Sequence, residues 1–214
     1  MTRGTNTGNG QVTITYSIPS TYSIVWDGTA GAAGFTNVTN GSVTSSPVNI
    51  TVPGAAAPNT YNGTFTITNS NTSCTSAPYA ISVNVNPIPD VLPIGNQAVC
   101  NGATTTAITF GTTVPGTTFD WTNSDPSIGL AATGTAVSGI PSFTVTNSSN
   151  VPVNAVITVT PVRMGCLGAA QTFTITVNPT PDVVPSSNQT LCNGDTTATI
   201  HFTGSVTGTV FNWT

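Results

Sequence analysis

The stretch Val85–Val91, with the sequence VNPIPDV, returns as VNPTPDV at Val177–Val183, 92 residues further along the chain. The same register then continues without a gap to the last residue, and Cys100-Asn101-Gly102 corresponds in it to Cys192-Asn193-Gly194. Self-similarity at a fixed period is typical of repeated structural units. The sequence therefore predicts tandem modules with a period of 92 residues.

An earlier, more diverged copy precedes this pair. Cys74 stands 12 residues before Asn86, as Cys166 stands 12 residues before Asn178, and Trp26 lies close to the position that corresponds to Trp121. We therefore predict three modules: 1–87, diverged and without the early cysteine; 88–178, complete; and 179–214, the N-terminal part of a third. We expect the chain to belong to a longer array.

The composition favours strands over helices. Thr occupies 44 of the 214 positions, and Lys and Glu are absent. β-Branched residues suit a pleated sheet, whereas long helices use Ala, Leu, Glu and Lys. Apolar residues alternate with Thr, Ser and Asn in several short runs, which predicts strands through these residues: Val12, Ile14, Tyr16; Phe65, Ile67; Ile81, Val83, Val85; Phe143, Val145; Ala155, Ile157, Val159; Phe173, Ile175, Val177.

Turn residues such as Asn101-Gly102 and Ser124-Asp125-Pro126 separate the runs. Short strands at this spacing in a module of about 90 residues are typical of an immunoglobulin-like β-sandwich. The fold class we predict is all-β, with tandem immunoglobulin-like modules. Aromatic residues that recur at strand positions are expected in the core of each module, namely Trp26, Phe119, Trp121, Phe211 and Trp213.

Charge excludes several functions. The net charge is −4, from six Asp against Arg3 and Arg163, so no basic patch is available for nucleic acid. General acid and base catalysis needs paired titratable groups, but the chain has a single His and isolated Asp residues. We predict a protein that is not an enzyme, uses no cofactor, and neither binds nucleic acid nor inserts into a membrane. His201 corresponds to Thr109 and is expected to be a surface strand residue.

The cysteines suggest covalent stabilisation in an oxidising compartment. We predict a disulfide between Cys100 and Cys166 within the second module. Cys74 and Cys192 would be half-pairs, with partners beyond the sequence or in a neighbouring chain. Zinc is the alternative use of cysteine, but four cysteines spread over 118 residues (Cys74 to Cys192) lack the close spacing of zinc ligands.

The carboxylates of the proline-rich junctions have two interpretations. Asp90 and Asp182 could ligate calcium between modules, because calcium prefers oxygen ligands, although a calcium site usually needs more carboxylates. Hydrogen bonding in a turn is the other use of an Asp, and it is the expected role of Asp125 and Asp195.

The segment from Val85 to Val177, with its Cys-Asn-Gly, Phe-Asp-Trp-Thr-Asn and Ser-Ile-Gly-Leu-Ala-Ala motifs, resembles the PKD-like repeats of large surface proteins in Bacteroidetes. The resemblance implies a secreted, extracellular protein of the cell surface, similar to gliding-motility adhesins and other cargo of type IX secretion. It also implies O-glycosylation at Asp195-Thr196-Thr197, with Thr196 as the acceptor.

Three functions follow as expectations. The first is a stalk or spacer in a long adhesin, because the junction Asn-Pro-Xaa-Pro restricts the backbone between modules. The second is the subunit of an extracellular fibre, in which strands of a neighbouring chain complete a module. The third is a carbohydrate-binding module that uses Tyr61 and Tyr79. The expected partners are other copies of the repeat, in the same or a neighbouring chain, together with surface glycans or other cells.

Overall fold

The computed structural model of the protein describes residues 20–43 and 48–214. The chain divides into two compact units, Met1–Pro87 and Ile88–Thr214, which we call unit 1 and unit 2. The strand predicted through Val12, Ile14 and Tyr16 lies outside the described residues. Among these residues, no helix has the length and apolar character needed to cross a membrane.

Unit 1 contains a four-stranded antiparallel sheet in the order β2-β1-β3-β4. Its strands are β1 (Ser20–Trp26), β2 (Val38–Ser42), β3 (Asn59–Asn69) and β4 (Tyr79–Val85). A short helix, α1 (Gly28–Ala32), follows β1. The helix begins after Asp27, whose carboxylate accepts a hydrogen bond of 2.7 Å from the Ala30 amide, an arrangement that satisfies a free donor of the first turn.

An aromatic cluster forms the core of unit 1. The ring of Phe35 lies between those of Trp26 and Tyr61, with centroid distances of 4.7 and 4.9 Å. Ile24 and Ala30 complete the buried cluster. The remaining inward residues of β3 and β4 are only half-buried, and they are Phe65, Ile81, Val83 and Val85.

Unit 2 contains a larger sheet in the order β5-β12-β10-β7-β8, with β11 paired to one end of β10. Its strands are β5 (Gln97–Cys100), β7 (Thr118–Asn123), β8 (Thr133–Val137), β10 (Val153–Arg163), β11 (Cys166–Leu167) and β12 (Gln171–Asn178). All pairings are antiparallel except that of β5 with β12. The order β8-β7-β10-β12 repeats the order β2-β1-β3-β4 of unit 1.

A second layer covers this sheet. It holds β6 (Ile108–Thr109) paired with β9 (Gly139–Ile140), a 3₁₀ turn at Pro126–Ile128, and a single bridge between Thr104 and Thr144. The predicted strand through Phe143 and Val145 is therefore an extended segment with this one bridge. Val145 is nevertheless fully buried, so its inward position does not depend on a regular strand.

The core of unit 2 lies between the two layers. The sheet contributes alternate residues of three strands: Phe119, Trp121, Ala155, Ile157, Val159, Phe173, Ile175 and Val177. The second layer contributes Val91, Ile108, Phe110, Ile128, Leu130, Ile140 and Val145. The residues that alternate with these core positions along β10 and β12 are half-buried or exposed. The all-β prediction is confirmed, because α1 and the 3₁₀ turn are the only helical elements among the described residues.

Residues 179–214 form no strand, and their regular pairing is limited to one bridge between Val184 and Thr203. The core positions predicted for Phe211 and Trp213 were wrong in part, because Phe211 is half-buried and Trp213 is 76% exposed. In the second module the counterpart, Trp121, is 7% exposed and is paired in the sheet with Val159 of β10. Residues 179–214 contain no counterpart of β10 or β12.

Gly134 supports the packing of Trp121, and its replacement tests the sandwich. A Cβ atom at this position would lie 2.3 Å from Nε1 of the Trp121 indole. We expect Gly134→Val to force the indole from its site and to lower the free energy of unfolding by about 1–3 kcal/mol. Urea denaturation followed by tryptophan fluorescence measures the change. Gly95→Val is the control, because a Cβ there meets no atom within 4 Å, and an equal loss in both variants would contradict the prediction.

Candidate functional site

The junction before the second module is anchored by the carboxylate of Asp90. This carboxylate accepts hydrogen bonds from the Thr112 hydroxyl at 2.7 Å, the Thr113 amide at 2.8 Å and the Thr113 hydroxyl at 2.9 Å. Next to it, the Leu92 amide donates to the carbonyl of Gly111 at 2.9 Å. We call this arrangement the junction clip, and it fastens the proline-rich segment to the loop after β6.

The proline residues of the junction also pack against the module. Pro89 is fully buried, and Val91 belongs to the core cluster of unit 2. The carbonyl of Pro89 lies so close to Gly168 that a Cβ there would come within 1.8 Å of the oxygen. Glycine is therefore required at this point, since any side chain would push the junction away.

The junction clip recurs 92 residues later. The Asp182 carboxylate accepts hydrogen bonds from the Ser205 amide at 2.6 Å and the Ser205 hydroxyl at 2.8 Å. The Val184 amide donates to the carbonyl of Thr203 at 2.8 Å. Ser205 corresponds to Thr113. In each copy, one residue therefore donates from its hydroxyl and its amide to the Asp carboxylate of that copy's junction. These hydrogen-bond partners were not predicted from the sequence. The repeat could have indicated them, because Thr113 and Ser205 stand 92 residues apart, as Asp90 and Asp182 do.

The chemistry of the clip does not suit calcium. Hydrogen bonds from Thr112 and Thr113 hold the pKa of Asp90 below its ordinary value of 3.8, and those from Ser205 lower the pKa of Asp182 in the same way. The oxygens thus accept from N–H and O–H donors, whereas a calcium site gathers several oxygen ligands around the ion. Within the described residues, His, Cys and Asp side chains form no group of three or more that could hold a metal.

A second hydrogen-bonded network lies at the opposite end of β10. The side chain of Asn147, which is 7% exposed, donates to the carbonyls of Val177 at 2.7 Å and Val151 at 2.9 Å. Its amide group accepts from Ser149, and its backbone N–H donates to the side-chain oxygen of Asn101 at 2.8 Å. Asn147 is therefore satisfied although it is buried, as a buried polar side chain must be.

The same network contacts the following junction. The Asn101 amide donates to the carbonyl of Asn178 at 2.8 Å, and its side chain donates to the Thr180 hydroxyl at 3.2 Å. Cys100, which precedes Asn101, is exposed at this end of the module. The second module therefore holds its own junction at one end and the next junction at the other.

The predicted disulfide between Cys100 and Cys166 was wrong. All four cysteines lie among the described residues, and all four are free. Cys100 is opposite Asn178, beside the Val153 end of β10, whereas Cys166 is opposite Arg163 at the other end. At about 3.3 Å per residue the two cysteines are roughly 30 Å apart, while a disulfide needs Cα atoms within about 7 Å.

The half-pair prediction for Cys74 and Cys192 is not tested by the structure, which places both thiols at the surface.

Two further predicted residues, Thr196 and His201, lie at the surface. Thr196 is exposed, as a glycosylation acceptor must be, and the neighbouring Asp195 carboxylate accepts from the Cys192 amide at 3.0 Å. His201 is exposed but lies outside any strand.

The two tyrosines proposed for carbohydrate binding do not act together. Tyr61 is 2% exposed, and its hydroxyl donates to the carbonyl of Ala57 at 2.7 Å, so it is a core residue of unit 1. Tyr79 is 70% exposed on β4. An exposed aromatic platform made from this pair is therefore not present.

A groove of about 450 Å³ lies within unit 2, where the second module meets residues 179–214. Its lining includes Val151, Pro152, Pro179, Pro181 and Val210 and contains no charged residue. The rest of the lining includes the polar residues Asn150, Asn178, Thr207 and Thr209.

Comparison with known protein families finds one match, which lies in the second module. Residues 97–181 match the family model described as a PKD-like domain. The match agrees with a PKD-like, immunoglobulin-like domain in this part of the chain, and its bounds include β5 to β12. A search of curated proteins found no match to the sequence.

A search of solved structures found chains of low sequence identity and low TM-score, of which three are given. Drosophila N-cadherin EC1-4 shows 12% identity and a TM-score of 0.34, covering 76% of this chain and 41% of that one. Chicken CNTN1 FN1-FN3 shows 12% identity and a TM-score of 0.32, covering 78% and 60%. Human CDH23 EC21-23 shows 14% identity and a TM-score of 0.33, covering 90% and 70%. This chain thus spans about two to three fifths of the first two structures, and TM-scores below 0.5 support no statement about what it binds.

The junction clip makes the stability of unit 2 dependent on pH. The pKa of Asp90 is lowered on folding, so its contribution is present above the unfolded value near 3.8 and is lost as the pH falls through the lower folded pKa. We expect Asp90→Asn to lower the urea midpoint at neutral pH, and the difference from the parent chain to shrink as the pH falls below the ordinary value of 3.8. A difference that stays constant down to acid pH would contradict this. Asp195→Asn, in the third copy, should leave the unfolding of the second module unchanged.

The network around Asn147 should also contribute measurably to stability. We expect Asn147→Ala to leave the carbonyls of Val177 and Val151 without this donor, and to lower the free energy of unfolding by about 1–3 kcal/mol. Asn150→Ala is the matched control, since Asn150 is exposed three positions away. Equal denaturation midpoints for the two variants, measured in urea, would show that the network contributes nothing.

Proposed function

We propose that this chain is a spacer in the stalk of a long extracellular adhesin, in which tandem modules hold a binding tip away from the cell surface. The function is mechanical and involves no catalysis. The observation that carries the proposal is the junction clip, which recurs 92 residues apart at Asp90 and Asp182 and joins each proline-rich junction to the module that follows it.

A stalk must limit bending between its modules, and the clip supports this requirement. Pro87 and Pro89 fix φ at two positions of the first junction and favour extended conformations at the residues before them. The clip and the burial of Pro89 then remove most of the remaining freedom at the start of the second module. The same Pro-Xaa-Pro-Asp arrangement stands at 179–182.

The central position of β12 in the sheet also supports a mechanical role. The first junction leads into the core through Val91, and the next junction begins at the end of β12. A pull on the two ends of the module must therefore separate β12 from its neighbours β5 and β10 before the core opens. Two strands pair with β12 on opposite edges, which makes it a central strand of the sheet.

The match of residues 97–181 to a PKD-like domain supports placement outside the cell, and the resemblance to surface adhesins extends that placement to the bacterial cell surface. The low content of charged residues agrees with a protein that is not held by electrostatic attraction to nucleic acid or lipid. Carbohydrate binding loses support because Tyr61 belongs to a core.

Single-molecule stretching tests the proposal. Pulling on the full chain should give a discrete unfolding event for residues 88–178, with a length gain of roughly 300 Å at about 3.3–3.6 Å per residue. Asp90→Asn should lower the force of this event, because the clip holds the pulled end of the module, whereas Asp195→Asn should not. A smooth extension at low force, without a discrete event, would argue against a stalk.

A further inference from the structure

Strand β8 forms one edge of the large sheet in the second module. It stands last in the strand order β5-β12-β10-β7-β8, and among the described residues it pairs with β7 alone. The N–H and C=O groups on the outer side of an edge strand can pair with a strand of another molecule, which is a route to aggregation. Stable sheet proteins therefore need a feature that prevents this pairing.

β8 lacks the protection that charge or proline gives to an edge. Its sequence, Thr-Gly-Thr-Ala-Val, contains no charged residue and no proline, and the whole chain contains no Lys, a residue that commonly protects edges. Three of its five residues, Thr133, Thr135 and Val137, are β-branched and favour strand pairing. Another form of protection is therefore required.

A β-bulge interrupts this edge strand. The ladder between β7 and β8 changes register at one point, where the single residue Asp120 of β7 faces two residues of β8, Thr135 and Ala136. The extra residue of a bulge stays unpaired, bends the strand and increases its twist. Ala136 has a φ of +53°, in the left-handed region that Ala rarely adopts. The edge of β8 is thus neither flat nor regular.

The carboxylate of Asp120 holds the bulge in place. Its Oδ1 accepts a hydrogen bond of 2.9 Å from the Ala136 amide. Asp120 is the only carboxylate in the strands of unit 2, all of which are described, and it takes no part in the junction clip or the core. Hydrogen bonds to a carboxylate are stronger than those between neutral groups. This one therefore offsets part of the strain of Ala136.

The same bulge stands at the corresponding place in unit 1. There the single residue Ser23 of β1 faces Thr39 and Asn40 of β2, and β2 and β1 correspond in the strand order to β8 and β7. Asn40 has a φ of +52°, and its amide donates to the Ser23 hydroxyl at 3.2 Å. The geometry therefore recurs although both of its key residues differ, so it is not a by-product of a copied sequence.

We propose that this bulge, held by Asp120 in the second module and by Ser23 in unit 1, protects the sheet edge from pairing with the same edge of another copy. A tandem array keeps many similar strands close together, and domain swapping and misassembly are characteristic failures of repeat proteins. The inference goes beyond the spacer function and does not rest on it, because any array of such modules needs protected edges.

Deletion of Ala136 tests the proposal. Without this residue, Thr135 is opposite Asp120 and Val137 stays opposite Phe119, so the ladder of β7 and β8 becomes regular. Two such edges can pair about a two-fold axis, which uses both edges and stops at a dimer. We expect a dimer of twice 21.6 kDa. Its association constant should be at least about tenfold above that of the parent chain, measured by analytical ultracentrifugation under reducing conditions.

Two further chains show whether the association uses this edge. Thr133→Lys, added to the deletion, places a charge on the regular edge and should return association to the level of the parent chain. Ala136→Gly is the matched control, because glycine adopts positive φ readily and keeps the bulge, so this chain should associate no more than the parent. Ala136→Val should act as the deletion does, since positive φ is strongly disfavoured for a β-branched residue.

The proposal is overturned by a folded deletion chain that associates no more than the parent, or by association that Thr133→Lys leaves intact. A parent chain that dimerises, and stops doing so with Thr133→Lys, would overturn it as well. A cooperative urea transition shows that each chain is folded.

If the deletion prevents folding, Asp120→Ala decides the question, because it removes the acceptor of the Ala136 amide without changing the length of either strand. It should promote dimers that Thr133→Lys reverses. Asp120→Asn is its control, since the side-chain oxygen of Asn can still accept from Ala136, and it should behave as the parent does. Equal association of Asp120→Ala and the parent chain would then overturn the proposal.

Discussion

The burial of the inward faces of β10 and β12 is the constraint on which the rest of the structure depends. Six alternating residues of this hairpin are at most 2% exposed, and they are Ala155, Ile157, Val159, Phe173, Ile175 and Val177. At about 25 cal/mol per Å² of apolar surface, this burial is the main stabilising contribution available to a chain with so few charged groups. A single sheet cannot supply it, because its inward face needs a second layer.

The second module shows what a complete second layer does for the sheet. In the second module, Val91, Ile108 and Phe110 pack with the inward residues of β10 and β12 in one buried core. In the described part of unit 1, the residues that the corresponding hairpin, β3 and β4, contributes to the core cluster are half-buried except for Tyr61.

Local hydrogen bonds of polar side chains complete the structure of the second module. Asp90, Gln97 and Asn147 each bond to backbone groups of a neighbouring loop. Such bonds contribute about 0.5–1.5 kcal/mol each and depend less on salt than surface ion pairs do. They lie at the ends of the module, where the junctions enter and leave. In the proposed spacer, these bonds would stabilise the chain at the points that carry tension.

The sequence by itself determined the all-β class, the inward alternation of β10 and β12 and the position of the junctions, because these follow from local periodicity and from a repeat that any register comparison reveals. It also placed Phe119 and Trp121 on one face of a strand, and both are buried. Only the tertiary structure decided whether Cys100 and Cys166 can pair, whether the tyrosines are exposed, and which groups donate to Asp90 in the junction clip. Cys100 and Cys166 are separated because β5 runs parallel to β12 and ends far from β11, a pairing that sequence spacing does not encode. The burial of Tyr61 and the hydrogen bonds of Asp90 with Thr112 and Thr113 have the same cause. Contacts between distant segments depend on which strands are neighbours, and the packing of the whole module determines that arrangement.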